Sequence, residues 1–385
     1  MENLFAQVQS TNKCLLGAGP MSTNSIRAVM EISDNFKIPI QLIASRRQID
    51  SDFHGGGYVN NWSTEDLYNH VSKNMQGNLV YLSRDHSGPW QGYYEVENNL
   101  GIEEAMTSCK KSLESDIDNG FKFLHLDPCV DIHQENIEVE TILKRLFELY
   151  GHIFEYSKGL NGIYVEVGTD LQGDKISTLE ETEYILEKLK NFTLDEINHS
   201  PTFYVIQNGT KVLETENVGE YKDKILHDEK FKSEIQSLTQ LIKDYGYLSK
   251  AHNCDYLEIE TLNSLAVNGI NGVNIAPEYG VIETKAIISL CQENGLTEEL
   301  ENFLQISYDS GKWEKWLKPK SNLSDSQKSI LSGHYVFSTP EFLELKEIIS
   351  SKLNKSNINF ENVLYETVYK SIKHSLTGLN WIKNG

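Results

Sequence analysis

The stretch Asn78-Leu79-Val80-Tyr81-Leu82-Ser83-Arg84-Asp85-His86-Ser87-Gly88-Pro89 joins a brief apolar run to a polar ending rich in potential ligands. A run so short, closed by turn-forming residues, reads as a buried strand. Seven further runs share its build, at 13–17, 39–45, 121–126, 162–167, 202–207, 245–250 and 272–276. Helical patterns sit between most of them. In 178–191, Ile185, Leu186 and Leu189 share a face, and Thr178 followed three residues on by Glu181 forms a capping box.

Through the middle of the chain the runs recur about every forty residues, room for a strand, a crossover helix and loops, so repeated βα units fit, and eight of them close a TIM (β/α)8 barrel. A doubly wound nucleotide-binding sheet is the rival, but it usually carries an early glycine-rich phosphate turn. Neither G-x-G-x-x-G nor G-x-x-x-x-G-K-[ST] occurs. The barrel is therefore assigned to 1–296, and 297–385 to a helical C-terminal extension packed on it. Helices are expected at 297–305, at 339–352, where Thr339 caps and Pro340 takes the first helical position, and at 360–374. Trp313 and Trp316, set among lysines, read as helix surface.

The 385 residues include 35 Lys+Arg against 56 Asp+Glu, a formal charge of -21. That balance argues against a nucleic-acid face and against a polybasic membrane anchor. With 39% hydrophobic and 24% charged residues the composition is that of a globular protein. No window approaches the roughly twenty apolar residues that span a bilayer. Residues 1–9 lack the basic and apolar regions of a signal peptide. The five cysteines lie far apart with no Cys-x-x-Cys pair, which predicts reduced thiols and a cytoplasmic setting.

In a barrel the chemistry sits where strands end at the C-terminal face. Here those ends supply Asp85-His86, His125-Leu126-Asp127, Glu166, Gln207-Asn208, His252-Asn253-Cys254-Asp255 and Glu278. Imidazoles and carboxylates converging from different strands suit Zn²⁺ or another divalent ion with an open position for substrate oxygens. His86 and His252 are the expected imidazole ligands and Glu166 the oxygen ligand. Side chains of neighbouring residues on extended backbone point apart, so Asp85 is expected to reach substrate as proton donor or acceptor. Asp127 is placed as a second acid/base or as a partner that fixes an imidazole tautomer. Gly55-Gly56-Gly57 could form a lid or let backbone N–H groups approach an anion. Arg46, Arg47 and Lys250 are the nearest cations.

The pieces Gln48-Ile49-Asp50 with Gly56-Gly57-Tyr58, Asp85-His86-Ser87-Gly88-Pro89, His125-Leu126-Asp127, Gly168-Thr169 and His252-Asn253-Cys254-Asp255-Tyr256 together resemble the tagatose-bisphosphate aldolase subunit family of the KbaZ/GatZ type, relatives of the class II aldolases. The resemblance covers most of the barrel portion. It implies a TIM barrel acting on phosphorylated ketoses, with a divalent metal polarising the carbonyl and stabilising an enediolate during carbon-carbon cleavage or epimerisation. Proton exchange with the C4 hydroxyl would fall on Asp85 and metal binding on His86 and His252. Family members tend to carry Gly-Thr-Glu where this chain has Gly168-Thr169-Asp170, which leaves the third ligand open between Glu166 and Asp170.

The leading expectation is thus a metal-dependent aldolase or C4-epimerase on a tagatose or fructose phosphate, with Arg46, Gly56, Gln207, Asn253 and Asp255 as substrate-binding residues. A non-catalytic subunit supporting a separate aldolase chain is the alternative, since the family includes such members. A metal-dependent sugar isomerase is a third. The expected partners are a small sugar phosphate and either a second copy or an aldolase subunit, with neither nucleic acid nor membrane.

Overall fold

The computed structural model describes residues 1–77, 79–169 and 174–383. Its strands in chain order are β1 (Leu15–Ala18), β2 (Ile40–Ser45), β3 (Val80–Ser87), β4 (Phe123–Leu126), β5 (Tyr164–Val167), β6 (Phe203–Ile206), β7 (Val212–Leu213), β8 (Glu216–Asn217), β9 (Leu248–Ala251) and β10 (Gly272–Ile275). Strands β7 and β8 form a small antiparallel hairpin. The other eight pair in parallel and close into a barrel, because β10 returns to β1 with Leu15 beside Gly272 and Ala18 beside Ile275. All eight expected runs are strands of this TIM barrel. Their residues are nearly all buried, as they must be in strands covered on one face by helices and on the other by the packed interior.

The helix Leu179–Phe192 carries the expected capping box, with Thr178 accepting from the Glu181 N–H. Pro340–Asn354 starts behind Thr339 as expected. The helix Phe360–Gly378 packs against Thr23–Phe36 and Pro277–Glu293, and its Tyr365, Val368, Ile372 and Leu376 join the core shared with the barrel. A second apolar cluster, with Phe303, Phe342, Ile349 and Phe360, holds the C-terminal helices together. Among the described residues no helix is long and apolar enough to cross a membrane.

Polarity inside the barrel changes from one end to the other. At the N-terminal end the helix Glu2–Ser10 inserts Phe5 edge-on to Phe123, Tyr164 and Phe203, and Leu4 and Val8 join Leu15 and Leu248. Each such apolar side chain, fully buried, contributes about 1.5–3 kcal/mol. Above this plug the Lys250 Nζ bonds both oxygens of Glu166 at 2.7 and 2.8 Å and the Gln41 Oε1 at 2.8 Å. Above that layer, at the C-terminal mouth, lie the histidines.

Candidate functional site

Strand β3 carries the first two residues of the site, and a defect in its pairing sets their direction. Its register against β4 shifts between Arg84 and Ser87. Within that bulge His86 takes φ 48°. A left-handed backbone costs a non-glycine residue about 1–2 kcal/mol, so it persists only where its surroundings enforce it. Those surroundings are visible. Arg84 points outward, bonds Asp116 at 2.6 Å and donates to the carbonyls of Ala44 and Ile49. Asp85 points inward. The His86 N–H then donates to His125 Nδ1 at 3.2 Å, and His86 Nδ1 meets Asp127 Oδ2 at 2.6 Å. Regular extended backbone would send Asp85 and His86 apart, as the sequence reading expected; the bulge turns both into one cavity.

His125 on β4 and His252 just after β9 complete the group. The three ring centroids are 5.1, 4.9 and 4.9 Å apart for the pairs 86–125, 86–252 and 125–252. His252 Nδ1 lies 3.3 Å from His86 Nε2, and Asp85 Oδ1 is 3.8, 3.7 and 3.9 Å from His86 Nε2, His125 Nδ1 and His252 Nδ1. Asn274 on β10 donates to Asp85 Oδ1 at 2.9 Å and sits 3.0 Å from His252 Nε2, pinning both.

Four potential ligand atoms from Asp85, His86, His125 and His252 thus lie within 4.8 Å of one another. Tetrahedral bonds of about 2.0–2.2 Å would space ligand atoms roughly 3.3–3.6 Å apart, close to these separations. Asp127 engages His86 Nδ1 and leaves Nε2 toward the cavity, the arrangement of a carboxylate-supported metal ligand once Nε2 gives up its proton. His125 turns Nδ1 toward the group, 3.7 Å from Asp85 Oδ1, with its buried Nε2 beside Gly168. The donor set could therefore hold a divalent metal.

The charges are coupled. Burial opposes ionisation of Asp85, but the surrounding imidazoles, His86 foremost, outweigh it and hold the carboxyl well below its ordinary range. Burial also opposes a charge on His86, while Asp85 and Asp127 overcome it and raise the imidazole to about 9. His252 goes the other way: burial pushes it well below its usual value.

The remaining expected residues divide. Asn253 and Asp255 line the cavity with Asp85, His86 and His252. Asp255 Oδ1 accepts from the Ala276 and Glu278 N–H groups at the start of the helix Pro277–Glu293, and burial beside Glu278 lifts its pKa to about 7. Asp127 lies beneath the mouth, with one oxygen on His86 and the other accepting from Cys129 Sγ, the contacts of a group that fixes a tautomer. Glu166 is not brought to the group. Strand alternation puts it in the Lys250–Gln41 layer below, where both oxygens are engaged. Asp170, the other third-ligand candidate, lies outside the described residues.

Arg46 is buried in ion pairs with Asp50 at 3.1 Å and Glu95 at 2.6 Å, and its neighbour Arg47 faces the cavity instead. Gly56 gives its N–H to Ser51 and Gly57 gives its own to Trp62, so this turn presents neither donor to a ligand. Gln207 lies by a different hollow, its carbonyl accepting from the Ser177 N–H. The sequence reading named His125 and Arg47 without giving either a place in the site, and it missed Asn274 and a roof of Lys315, Trp316 and Tyr335. Trp316 belongs to a single 3-10 turn, Glu314–Trp316, at the cavity rather than to a helix surface. A third imidazole ending a strand, His125, was the signal available in the sequence.

A closed eight-stranded parallel barrel with an open, polar C-terminal mouth defines the class of structure. No family model matches the chain, and no curated protein matches it. Among solved structures it is similar to a probable tagatose 6 phosphate kinase from Sinorhizobium meliloti 1021, at 15% identity and TM-score 0.76 over 95% of this chain and 100% of that one. It is also similar to a fructose-bisphosphate aldolase from Campylobacter jejuni, at 15% identity and TM-score 0.51 over 92% and 93% of the two chains. At such identities the likeness is one of fold.

Proposed function

We propose that this chain is a divalent-metal-dependent aldolase or C4-epimerase acting on a phosphorylated ketose. The observation that carries the reading is the convergence of Asp85, His86, His125 and His252 within 4.8 Å at the open end of the barrel. His86, His125 and His252 would hold the metal, with Asp85 beside them, and three imidazoles suit zinc. When bound, the ion supplies Lewis-acid polarisation of a substrate carbonyl. The chain's own residues do the rest. Asp85, held ionised by its imidazole neighbours and oriented by Asn274, accepts the proton of the substrate hydroxyl and returns it. Asp127 keeps the His86 ring in one tautomer. Trp316 and Tyr335 give the cavity an aromatic wall. Similarity to the fructose-bisphosphate aldolase of Campylobacter jejuni supports the reaction class as an analogy of fold.

The test is turnover of tagatose and fructose phosphates, scored for triose phosphate release and for the C4 epimer. Chelation should abolish activity and added zinc should restore it. Turnover that survives complete metal removal, or no metal retained by the purified protein, defeats the reading.

A further inference from the structure

The rim of the cavity carries positive charge that the chain leaves uncompensated. Arg47, two residues beyond β2, and Lys315 of the 3-10 turn both line it. Lys312 stands beside them, its Nζ 4.4 Å from the centre of the Tyr93 ring, while the Arg47 guanidinium is 5.9 Å from the same ring. Among the described residues none of these three cations forms an ion pair. The buried Arg47 Nε has no hydrogen-bond partner at all.

Lys315 rests its ammonium on aromatic faces instead, 4.8 Å from the Trp316 ring centre and 5.2 Å from that of Tyr335. Desolvation and the nearby Arg47 push its pKa down to about 8, so the cluster works against itself as it stands. Gathering cations where no carboxylate answers them is unfavourable through their mutual repulsion unless something else completes the set. The acids of the cavity are already engaged, Asp85 by Asn274 and Asp255 by two backbone N–H groups.

We infer that Arg47 and Lys315, backed by Lys312, form the subsite for an anionic group, phosphate or carboxylate, at one end of an open-chain sugar whose reacting carbons lie by Asp85 and the three histidines. The inference rests on the function proposed above and names what selects substrate at that same site. The planar guanidinium offers paired donors to two oxygens, and the ammonium adds a mobile point charge. Drawing Lys315 off Trp316 gives the event an optical signature.

The experiment is calorimetric titration of the full-length, metal-loaded protein with inorganic phosphate and, separately, with acetate, at low ionic strength and pH 7. Saturable binding to the wild type is expected, weakened about tenfold or more in Arg47→Ala and in Lys315→Ala, since each loses a charge-assisted contact. Tryptophan emission should change on binding in the wild type and not in Trp316→Phe, which still binds. Preference for phosphate assigns a phosphorylated sugar, and preference for acetate assigns a sugar acid. Failure of both anions to bind, or unchanged affinity in both cation variants, overturns the subsite. Among the described residues Lys315 meets aromatic faces and forms no ion pair, so its variant strands no buried counter-charge. Neither probe turns over, so phosphate binding by a protein that retains no metal would defeat the metal-dependent reading and leave the subsite standing.

Discussion

His252 and His86, separated by 166 positions, bring Nδ1 and Nε2 to 3.3 Å. Only a ring closure that sets the end of β9 across the mouth from the bulge of β3 can do this. The pairing is also unfavourable for a protonated pair, since two buried imidazolium groups would repel at that distance. Under the proposed function, a cation held by both rings would relieve that repulsion.

Metal content therefore follows all three imidazoles. His86→Ala, His125→Ala and His252→Ala should each reduce bound metal to a small fraction of the wild-type level, measured by elemental analysis after dialysis. Asp127→Asn weakens support for His86 without removing a ligand, and about 10–100-fold lower affinity is expected in a chelator competition. Full retention of metal by the His125 variant would remove that residue from the set.

Glu166 has a different signature. Glu166→Gln leaves the Lys250 ammonium buried without a counter-charge, and breaking such a pair costs about 3–5 kcal/mol. Urea denaturation should show that loss while metal content stays near normal. The double variant Glu166→Gln with Lys250→Met should recover much of the stability, because no lone charge then remains inside.

Gly168 marks the tight wall behind His125. A Cβ there would lie 2.7 Å from His125 Nε2. Gly168→Ala should displace the ring, costing about 1–3 kcal/mol by overpacking and weakening metal retention in the same variant. Unchanged stability and metal affinity would mean the ring has room to move.

Acid should loosen the roof through His334. Its side chain is buried, neither ring nitrogen has a hydrogen-bond partner, and burial, aided by Lys315, pushes its pKa down to about 3 from 6.5. Between those values the unfolded chain binds a proton that the folded one refuses. Its contribution is therefore complete above 6.5 and falls as the pH drops toward 3, at up to about 1.4 kcal/mol per pH unit. His334→Phe should lose less stability than the wild type between pH 6 and 4 in paired denaturation curves. Parallel curves would show that the imidazole titrates freely in the native state.

The parts of the molecule legible in the sequence are those ruled by local pattern. The apolar runs of β1 to β6, β9 and β10 identify themselves because a parallel strand buried on both faces must be apolar almost throughout. Thr178 with Glu181, and Thr339 with Pro340, announce helix starts because a cap needs only neighbours. Asp85, His86 and His252 stood out because polar groups at strand ends collect at one mouth.

The division of roles among those groups needed the third dimension. Whether a strand-end carboxylate faces the mouth or the layer beneath depends on barrel tilt, and that put Glu166 against Lys250 and left His125 in the place expected for it. Arg46 and Arg47 are equivalent in composition, yet one is sealed between Asp50 and Glu95 while the other reaches the cavity. The direction of His86 came from a bulge fixed by contacts with Arg84, His125 and Asp127. The roof of Lys315, Trp316 and Tyr335 comes from the far end of the chain. Sequence alone determined the barrel and the presence of metal-type ligands at its mouth, because burial and capping act over neighbouring residues. Tertiary structure decided which side chains meet, because their separation in space is set by how strands shear and close, which no local pattern records.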